Sequence, residues 1–404
     1  MKKIIIKPAV LGLGYVGLPI FLNLQNKINT IGYDIDASRV KDLNLKRDFN
    51  CEYKKNSLNL KKKSVITSNK KLLLKCNFFI VTVPTPIHNN YTPDLSYLKK
   101  SCEILGKIIK KNNIIFFEST VFPGVTENFC GKILEKKSGL KLNTDFFLGY
   151  SPERINPGDK KHTVNKIMKI VSSNNSYALK VGKKIYRKIT KKIVLSKNIK
   201  EAESAKVIEN IQRDLNIGLM NEIYKVCCNS NINFSNVIRL ASTKWNFLKF
   251  NPGLVGGHCL PVDPYYYSTF AKKFGITTDI ILSGRKINNS MYKFMYNKLL
   301  NEVKKLKINF RKSKILILGL TYKKNVSDIR NSYAINIYQL FKNKFKNLDV
   351  CDPLLKNKKI KNIKVLYDFN VKNYDLIINL VNHDVFKSKI LKIKKNKQSY
   401  IELF

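Results

Sequence analysis

Six residues near the start of the chain, Gly12-Leu-Gly-Tyr-Val-Gly17, restrict the possible folds more than any other feature. They follow a short apolar run and lead into another, Leu18-Pro-Ile-Phe-Leu22, so a strand, a glycine turn and a helix are predicted in that order. The first glycine makes the turn, the second admits a pyrophosphate, and the third lets the helix pack on the strand. The alternative is a glycine-rich turn in an α/β domain that binds no nucleotide.

The kind of dinucleotide is indicated by two residues further along the chain. Asp34 ends the next predicted strand, twenty residues after Gly14. A carboxylate at that place accepts hydrogen bonds from an adenosine ribose, which favours NAD over NADP. Arg39 follows and is placed to stack on the adenosine, although an arginine near this site is also found where NADP binds. Together these residues predict a Rossmann-type domain that binds NAD.

Residues 1–200 alternate short apolar runs with amphipathic segments, a pattern that predicts a doubly wound domain with a parallel sheet. Strands are predicted at residues 9–11, 31–33, 78–83 and 114–117. A helix is predicted over residues 94–111, with Asp94 near its N-cap. Pro8 should weaken only the start of the first strand.

The pattern changes near residue 201, where Ile208, Ile211, Leu215 and Leu219 recur at helical spacing without an intervening strand. Residues 201–305 are therefore predicted to form a central helical domain with one long helix. Apolar strands return at 314–320, 349–353 and 375–381, which predicts a smaller domain over 306–404. The predicted fold is α/β, with two Rossmann-like doubly wound parallel-sheet domains joined by the helical one.

The charge of the chain is extreme, with 75 Lys and Arg against 28 Asp and Glu, a net +47. Nucleic-acid binding is one interpretation. Against it, the basic residues are mostly Lys and are spread along the chain, and Asn and Ile, which share A/T-rich codons with Lys, are enriched as well. We interpret the charge as compositional drift and expect no specific nucleic acid partner. A positive field that attracts anionic substrates and cofactors is the milder functional interpretation.

Metal sites, disulfides and membrane spans are not expected. The eight cysteines form no C-x-x-C pair and the four histidines show no ligand spacing. No apolar run approaches 18 residues. The chain shows no targeting motif, so the cytoplasm is the expected location.

One glycine-rich loop carries the strongest candidate nucleophile. In Asn251-Pro-Gly-Leu-Val-Gly-Gly-His-Cys259, the cysteine follows three glycines, and Asp263 comes four residues later. Glycines let the backbone come close to a ligand, and a cysteine held near a carboxylate can attack a carbonyl. A tight turn with a half-buried cysteine is the alternative.

Other candidates lie in loops and on the long helix. Thr120 follows a predicted strand and either is placed near a nicotinamide or is a threonine that satisfies a turn. Glu153, in a proline-rich loop, is a candidate general base or a solvated carboxylate. Lys206 and Asn210 share a helix face, either as two prongs of an oxyanion site or as a solvated face.

These motifs occur together, in this order, in the UDP-glucose/GDP-mannose dehydrogenase family, which the chain resembles over nearly its whole length. The resemblance is carried by Gly12-Leu-Gly-Tyr-Val-Gly17 with Gly32-Tyr-Asp-Ile-Asp36, Glu118-Ser-Thr-Val121, Ser151-Pro-Glu-Arg154, residues 203–210, Gly256-Gly-His-Cys259 with Asp263, and residues 323–330.

The resemblance implies an NAD-dependent, four-electron oxidation of a sugar nucleotide's C6 alcohol to a carboxylate, with two NAD+ used in turn. It implies that Cys259 forms a thiohemiacetal and then a thioester, and that Lys206 and Asn210 steady the oxyanion. Asp263 is implied in proton transfer, and Glu153 with Thr120 in activating and holding the hydrolytic water.

The resemblance and the motifs together give the full set of candidate residues. Those expected to contact the cofactor NAD are Gly12, Gly14, Tyr15, Val16, Gly17, Asp34, Arg39, Thr85, Thr120 and Arg330. Those expected to contact the sugar nucleotide are Glu153, Arg154, Lys206, Asn210, Lys249, Gly256 and Lys323.

The branch of the family is indicated by Val262, which stands where many UDP-glucose and GDP-mannose enzymes carry a lysine. With Thr243-Lys-Trp-Asn-Phe247 and Asn251-Pro-Gly-Leu254, it resembles the UDP-N-acetylhexosamine branch, with UDP-N-acetylglucosamine or UDP-N-acetylgalactosamine as the expected substrate and surface polysaccharide precursors as the product. UDP-N-acetylmannosamine and UDP-glucose stay open as alternatives.

A second enzyme class and an assembly state complete the predictions. The alternative enzyme class is a β-hydroxyacid or 6-phosphogluconate-type dehydrogenase. Helices follow the Rossmann domain in those enzymes too, but their reaction uses one NAD and no thiol. The long helix has apolar residues on more than one face, including Met220, Ile223 and Val226, which predicts a homodimer.

Overall fold

The computed structural model describes residues 5–50, 52–61, 63–155, 163–356, 360, 362–395 and 399–404. Cys51, His162 and residues 156–158 of the proline-rich loop lie outside the described residues. The chain divides into a first unit, residues 1–209 with 265–277, and a second unit, residues 210–264 with 278–404. The predicted domain boundaries near residues 200 and 305 stay a prediction.

The first unit is built on a sheet of eight described strands in the order β3-β2-β1-β4-β5-β6-β7-β8. These are β1 (Pro8–Leu11), β2 (Ile31–Tyr33), β3 (Val65–Thr67), β4 (Phe78–Val81), β5 (Asn113–Phe117), β6 (Phe146–Tyr150), β7 (Lys169–Ser172) and β8 (Ile193–Ser196). All neighbours are parallel except β6 and β7, which are antiparallel. The order reverses between β1 and β4, the place where such sheets bind ligands.

Helices cover both faces of this sheet because successive strand residues point to opposite sides. On β1, Ala9 and Leu11 join the core under α3 (Ser96–Gly106) and α4 (Lys132–Ser138), whereas Val10 joins the core under the other helices. Those are α1 (Gly17–Gln25), α2 (Ala37–Asn44) and α5 (Ser176–Tyr186). Each fully buried Phe or Ile contributes roughly 1.5–3 kcal/mol to this packing.

A 31-residue helix, α6 (Ile199–Asn229), runs from the first unit into the second. It is followed by α7 (Phe234–Ala241), α8 (Asp263–Lys272) and α9 (Asp279–Lys305). Residues 265–277 return to the first unit, where Tyr266 is fully buried and its hydroxyl donates to the Pro86 carbonyl at 3.1 Å. The Lys273 ammonium lies 4.4 Å from the centre of the Phe122 ring.

The second unit contains a parallel sheet in the order β11-β10-β9-β12-β13 among the described residues. Its elements are β9 (Lys314–Leu318), α10 (Tyr333–Lys342), β10 (Asn347–Cys351), β11 (Val365–Leu366), β12 (Leu376–Asn379), α11 (Lys387–Lys395) and β13 (Ser399–Glu402). The strand order reverses between β9 and β12. The loop after β9 therefore starts at a switch point, as the glycine turn after β1 does.

The predicted fold class is confirmed, with differences at the level of single elements. Pro8 is the first residue of β1, as expected. The predicted strand 78–83 ends at Val81, and the predicted helix 94–111 ends at Gly106. The antiparallel β6–β7 pair departs from the expected all-parallel sheet. None of the described helices is long and apolar enough to cross a membrane.

Candidate active site

The glycine turn after β1 is shaped by contacts that exclude side chains. Gly12 has φ +88°, and a Cβ on Gly17 would lie 1.8 Å from the Gly12 carbonyl oxygen. At Gly14, by contrast, a Cβ would meet nothing within 4 Å. The Thr82 hydroxyl, which the sequence did not single out, donates to the Gly12 carbonyl at 2.7 Å. The turn is closed toward the sheet and open at Gly14, which fits a pyrophosphate there.

Asp34 and Arg39 both brace this turn. The Asp34 carboxylate accepts the backbone N–H of Leu13 at 2.7 Å, and the Arg39 Nε donates to the Leu13 carbonyl at 3.0 Å. Asp48, which was not predicted, pairs with Arg39 Nη1 at 2.8 Å. The Arg39 Nη2 atom is buried without a hydrogen-bond partner among the described residues. Arg39 thus combines a structural role with a donor left for a ligand.

Two loops at the ligand edge of the first sheet are tied together. The Ser119 hydroxyl donates to the Val83 carbonyl at 2.6 Å, joining the loop after β5 to the loop after β4. Thr120 and Thr85, one in each loop, are half-buried. The two predicted threonines are therefore held on connected backbone segments at the carboxyl ends of adjacent strands. Tyr15 and Val16, in the turn after β1, are also half-buried.

Glu153 lies in a buried cluster that the sequence did not predict. Its Oε2 is 2.9 Å from the Lys169 ammonium, which also contacts Glu118 at 2.5 Å. The Glu153 Oε1 accepts the N–H groups of Arg154 and Ile155. Burial raises the pKa of Glu118 to about 7, although the Lys169 charge acts to lower it. Glu153 is thus not the solvated carboxylate that the sequence left open.

The start of α6 is anchored by a buried carboxylate. Glu203 accepts the N–H groups of Gly124 at 2.5 Å and Thr126 at 2.9 Å. Burial raises the pKa of Glu203 to about 7, against the lowering effect of these hydrogen bonds. Lys206, one turn later, is buried with 8% exposure, which removes the solvated-face alternative for this residue. Further along, Glu209 forms an ion pair with Arg154.

In the second unit the structure brings Asn210, Asp263 and Cys259 together. Asn210 Nδ2 donates to Asp263 Oδ2 at 2.5 Å, and Asp263 is 1% exposed. The Cys259 carbonyl accepts the N–H groups of Val262 and Asp263, each at 2.9 Å. The half-buried Cys259 is therefore fixed one turn ahead of the helix that begins at Asp263.

The glycines of the cysteine loop make room for protein as well as for a ligand. A Cβ on Gly256 would lie 2.6 Å from the Asn331 carbonyl oxygen, and one on Gly257 would lie 2.8 Å from the Tyr322 ring. The Gly257 N–H donates to the Arg330 carbonyl at 3.0 Å. The absence of side chains at Gly256 and Gly257 thus lets the cysteine loop pack against residues 322–331.

Arg330 is held by neighbours in the same unit. Its Nε and Nη2 contact both oxygens of Asp328, and Nη2 lies 3.1 Å from His258 Nδ1. Burial acts to raise the pKa of Asp328, but the Arg330 hydrogen bonds and charge outweigh it and lower that pKa. Lys323 is half-buried in the same loop, and Lys249 is exposed.

A second buried cluster holds the loop after β9. His383 is fully buried; its Nδ1 accepts the Asn325 N–H at 2.8 Å and its Nε2 lies 3.1 Å from the Thr321 hydroxyl. Asp352, at the end of β10, accepts the Leu320 N–H at 2.8 Å. The sequence did not predict these residues, because they come from three separate strand ends. The described residues contain no group of three side chains suited to a metal.

No side chain described above can accept a hydride, whereas the turn after β1 fits a bound dinucleotide that does. Fold and site therefore define a dinucleotide-dependent oxidoreductase. The chain belongs to the UDP-glucose/GDP-mannose dehydrogenase family: the family's NAD binding domain matches residues 6–190, its central domain 200–290 and its UDP binding domain 316–401. The predicted family and the predicted cofactor NAD are both confirmed.

Individual relatives are similar over most of their length. The chain is 44% identical to a UDP-N-acetyl-D-glucosamine 6-dehydrogenase of Pseudomonas aeruginosa, over 86% of this chain and 83% of the relative. It is 40% identical to an enzyme of the same name from Salmonella typhi, over 95% and 91%. A solved structure of a UDP-D-ManNAc dehydrogenase from Pyrococcus horikoshii is 31% identical with a TM-score of 0.86, over 98% and 95%.

Proposed function

We propose that this protein oxidises the C6 hydroxyl of UDP-N-acetylglucosamine or UDP-N-acetylgalactosamine to a carboxylate, supplying a uronic acid precursor for surface polysaccharide. The 44% identity to the Pseudomonas aeruginosa enzyme carries the choice of substrate. The 31% identity to the mannosamine enzyme of Pyrococcus horikoshii is lower. Val262, before Asp263, supports the same branch.

Cys259 is the proposed nucleophile. NAD+, when bound in the turn after β1, accepts a hydride in each of two oxidations. Between them the Cys259 thiolate adds to the C6 aldehyde and forms a thiohemiacetal, whose oxidation leaves a thioester. The hydrogen bonds from Val262 and Asp263 to the Cys259 carbonyl support this role, because they fix the backbone that carries the thiol.

Lys206, Asn210 and Asp263 are proposed to manage charge and protons. The adduct with Cys259 is an alkoxide, which needs a fixed positive charge close to it. Lys206 supplies that charge from a buried position. The hydrogen bond from Asn210 to Asp263 fixes both side chains, so that Asp263 can take part in proton transfer.

Glu153 is the proposed base of the last step. It takes a proton from the water that attacks the thioester, and Thr120 holds that water. We further propose that Arg154, Lys249, Gly256 and Lys323 contact the sugar nucleotide, and that Arg330, Arg39, Asp34 and Thr85 contact NAD. The spare Arg39 donor and the open side of Gly14 support the NAD assignments.

A homodimer in the cytoplasm is also proposed. Large apolar side chains stand exposed on α6, on α7 and after α7, with Val226 at 60%, Leu240 at 58% and Trp245 at 92% exposure. A second copy of the chain would cover such surfaces. Six described cysteines outside the proposed site are free thiols, which suits a reducing compartment: Cys76, Cys102, Cys130, Cys227, Cys228 and Cys351. Light scattering should give twice the mass of the 46.7 kDa chain, and a monomer at micromolar concentration would contradict the dimer.

The substrate and the reaction are tested together with a panel of UDP-sugars. The purified protein is incubated with NAD+ and UDP-linked N-acetylglucosamine, N-acetylgalactosamine, N-acetylmannosamine or glucose. We expect about two NADH per uronic acid with one of the first two sugars, as a four-electron oxidation requires. One NADH per product would refute the thioester route. Cys259→Ser should abolish uronic acid formation, whereas Cys228→Ser, at a half-buried cysteine outside the site, should not.

A further inference from the structure

The reversal of β7 brings Lys169 to the edge of the sheet where ligands bind. β6 and β7 are antiparallel, with Ser172 opposite Tyr150. Lys169 stands three residues before Ser172, and Glu153 three residues after Tyr150, so the register carries both to the same level. In an all-parallel sheet the first residue of a strand lies at the opposite edge, away from the ligand. The geometry therefore sets a cation beside the proposed base.

The three charged side chains of the cluster are almost completely buried. The side chains of Lys169, Glu118 and Glu153 are 1%, 0% and 5% exposed. A carboxylate buried without a partner is driven to take up a proton. Burial acts to lower the pKa of Lys169, but the charges of Glu118 and Glu153 outweigh it and raise that pKa. The two carboxylates thus favour the charged form of the lysine that they share.

Three other charged or titratable groups lie around the cluster. Tyr186, from α5, donates to the second oxygen of Glu118 at 2.7 Å. The Arg154 side chain bonds to Glu209 and to the Met168 carbonyl. Tyr53 faces Glu153 from the chain after α2, and its pKa is raised to about 12, mainly by burial and in part by the Glu153 charge. None of these groups replaces the ammonium on Glu153.

We propose that Lys169 is a positioning residue for thioester hydrolysis, and that its ammonium keeps the Glu153 carboxylate charged and oriented while Glu118 competes for it. This inference rests on the proposed function, in which Glu153 is the base. In that step one water proton moves to Glu153 and the water oxygen bonds to the thioester carbon. The C–S bond breaks, and the second water proton passes to the Cys259 thiolate. The products are the Cys259 thiol and the sugar carboxylate.

The first test is Lys169→Met, compared with Lys166→Met at an exposed lysine three residues earlier. Loss of the cation makes a neighbouring carboxylate easier to protonate. We expect the rate of uronic acid release at pH 7 to fall about 100-fold. The pH at which this rate rises should be higher than in the wild type by about 1 unit or more. The acylated Cys259 should accumulate and appear in the intact-protein mass spectrum. Lys166→Met should behave as the wild type.

The second test is Glu118→Gln, which removes the competing charge with little change of size. The Lys169 ammonium then pairs with the Glu153 carboxylate alone. The rate of hydrolysis should therefore rise at a lower pH than in the wild type, by up to about 1 unit. Opposite shifts in the two variants are a result that a merely structural cluster does not produce. Melting temperatures of both variants show whether each is folded under the assay conditions.

The outcomes separate this inference from the function it rests on. If Lys169→Met slows NADH formation and uronic acid release equally, without an acyl adduct, or if both variants shift the profile the same way, Lys169 has no positioning role. If Cys259→Ser still forms uronic acid, the proposed function itself fails, whatever the Lys169 variants do.

Discussion

Asp263 shows at the scale of one residue how the site combines chemistry with structure. Its carboxylate is 1% exposed and accepts a hydrogen bond from Asn210, while its backbone N–H donates to the Cys259 carbonyl. A change at Asp263 that keeps its size separates the two roles, because only the charge is lost.

Asp263→Asn is therefore expected to lower kcat about 100-fold, the usual contribution of a positioned proton-transfer group. KM for the UDP-sugar should change by less than about threefold, because the side chain acts on the reacting centre. Steady-state kinetics with a UDP-sugar and NAD+ measure both. Asp279→Asn, at the start of α9, is the matched control. A variant that keeps full kcat would remove Asp263 from the chemistry.

Glu203 predicts a pH dependence of stability. Its pKa is raised by burial from 4.5 to about 7 in the folded chain. The folded state holds this proton more tightly, so the stability that it contributes is present at low pH and is lost as the pH rises from about 4.5 to 7. Glu203→Gln should remove roughly 3 kcal/mol of the wild-type difference in unfolding free energy between pH 4.5 and 8.

Urea titrations at the two pH values measure this difference. Glu201→Gln, two residues before Glu203 at the exposed start of α6, is the control and should leave the difference unchanged. If the unfolding free energy of Glu203→Gln depends on pH as that of the wild type does, burial of Glu203 does not raise the free energy of its charged form.

At the scale of secondary structure elements, His383 links the loop after β9 to the end of β12. It accepts the Asn325 N–H and contacts the Thr321 hydroxyl inside the core. His383→Ala should free this loop and, through loss of about 1.4 kcal/mol of binding, raise KM for the UDP-sugar about tenfold. The value of kcat at saturation should stay within about twofold.

His88→Ala, at an exposed histidine of the first unit, is the control for the His383 variant. Initial rates over a range of UDP-sugar concentrations give KM and kcat for both variants. A fall in kcat at unchanged KM would assign His383 a role other than holding the loop.

How much the sequence could predict differs between elements. The turn at Gly12 and the acid at Asp34 were predictable because one local motif carries both the backbone shape and the ligand contact. The antiparallel β7 was not predictable, since a four-residue strand that begins with Lys169 has no pattern that shows its direction. The partners Asp48, Glu118 and His383 were missed for the same reason, because only the fold brings distant residues into contact.

The exposure along α6 shows what helical periodicity alone does not predict. The apolar stripe Ile208, Ile211, Leu215 and Leu219 indicated a helix correctly, yet Ile208 and Leu219 are about half exposed in the single chain. Buried positions of the same helix include the polar Asp214, which pairs with Arg285 at 2.5 Å. Periodicity thus located the helix, whereas the choice of buried face depended on partners from α9.

At the scale of the whole molecule, the net charge of +47 predicts a dependence on salt. A positive field raises the local concentration of a UDP-sugar, and added salt screens it. We expect kcat/KM to fall at least about threefold between 50 and 500 mM NaCl, with kcat nearly constant. A flat profile would show that the charge has no part in substrate capture. Any DNA binding should be independent of sequence.

The order in which the first unit is assembled follows from the return of residues 265–277. A ribosome releases the chain from its N-terminus, so the first 209 residues emerge well before Tyr266, whose hydroxyl bonds to the Pro86 carbonyl. Residues 210–264, which belong to the second unit, have to be made in between. In the nascent first unit, the surface at Pro86 and Phe122 therefore stays uncovered until residues 265–277 have been made. During that time chaperones and proteases have access to this surface.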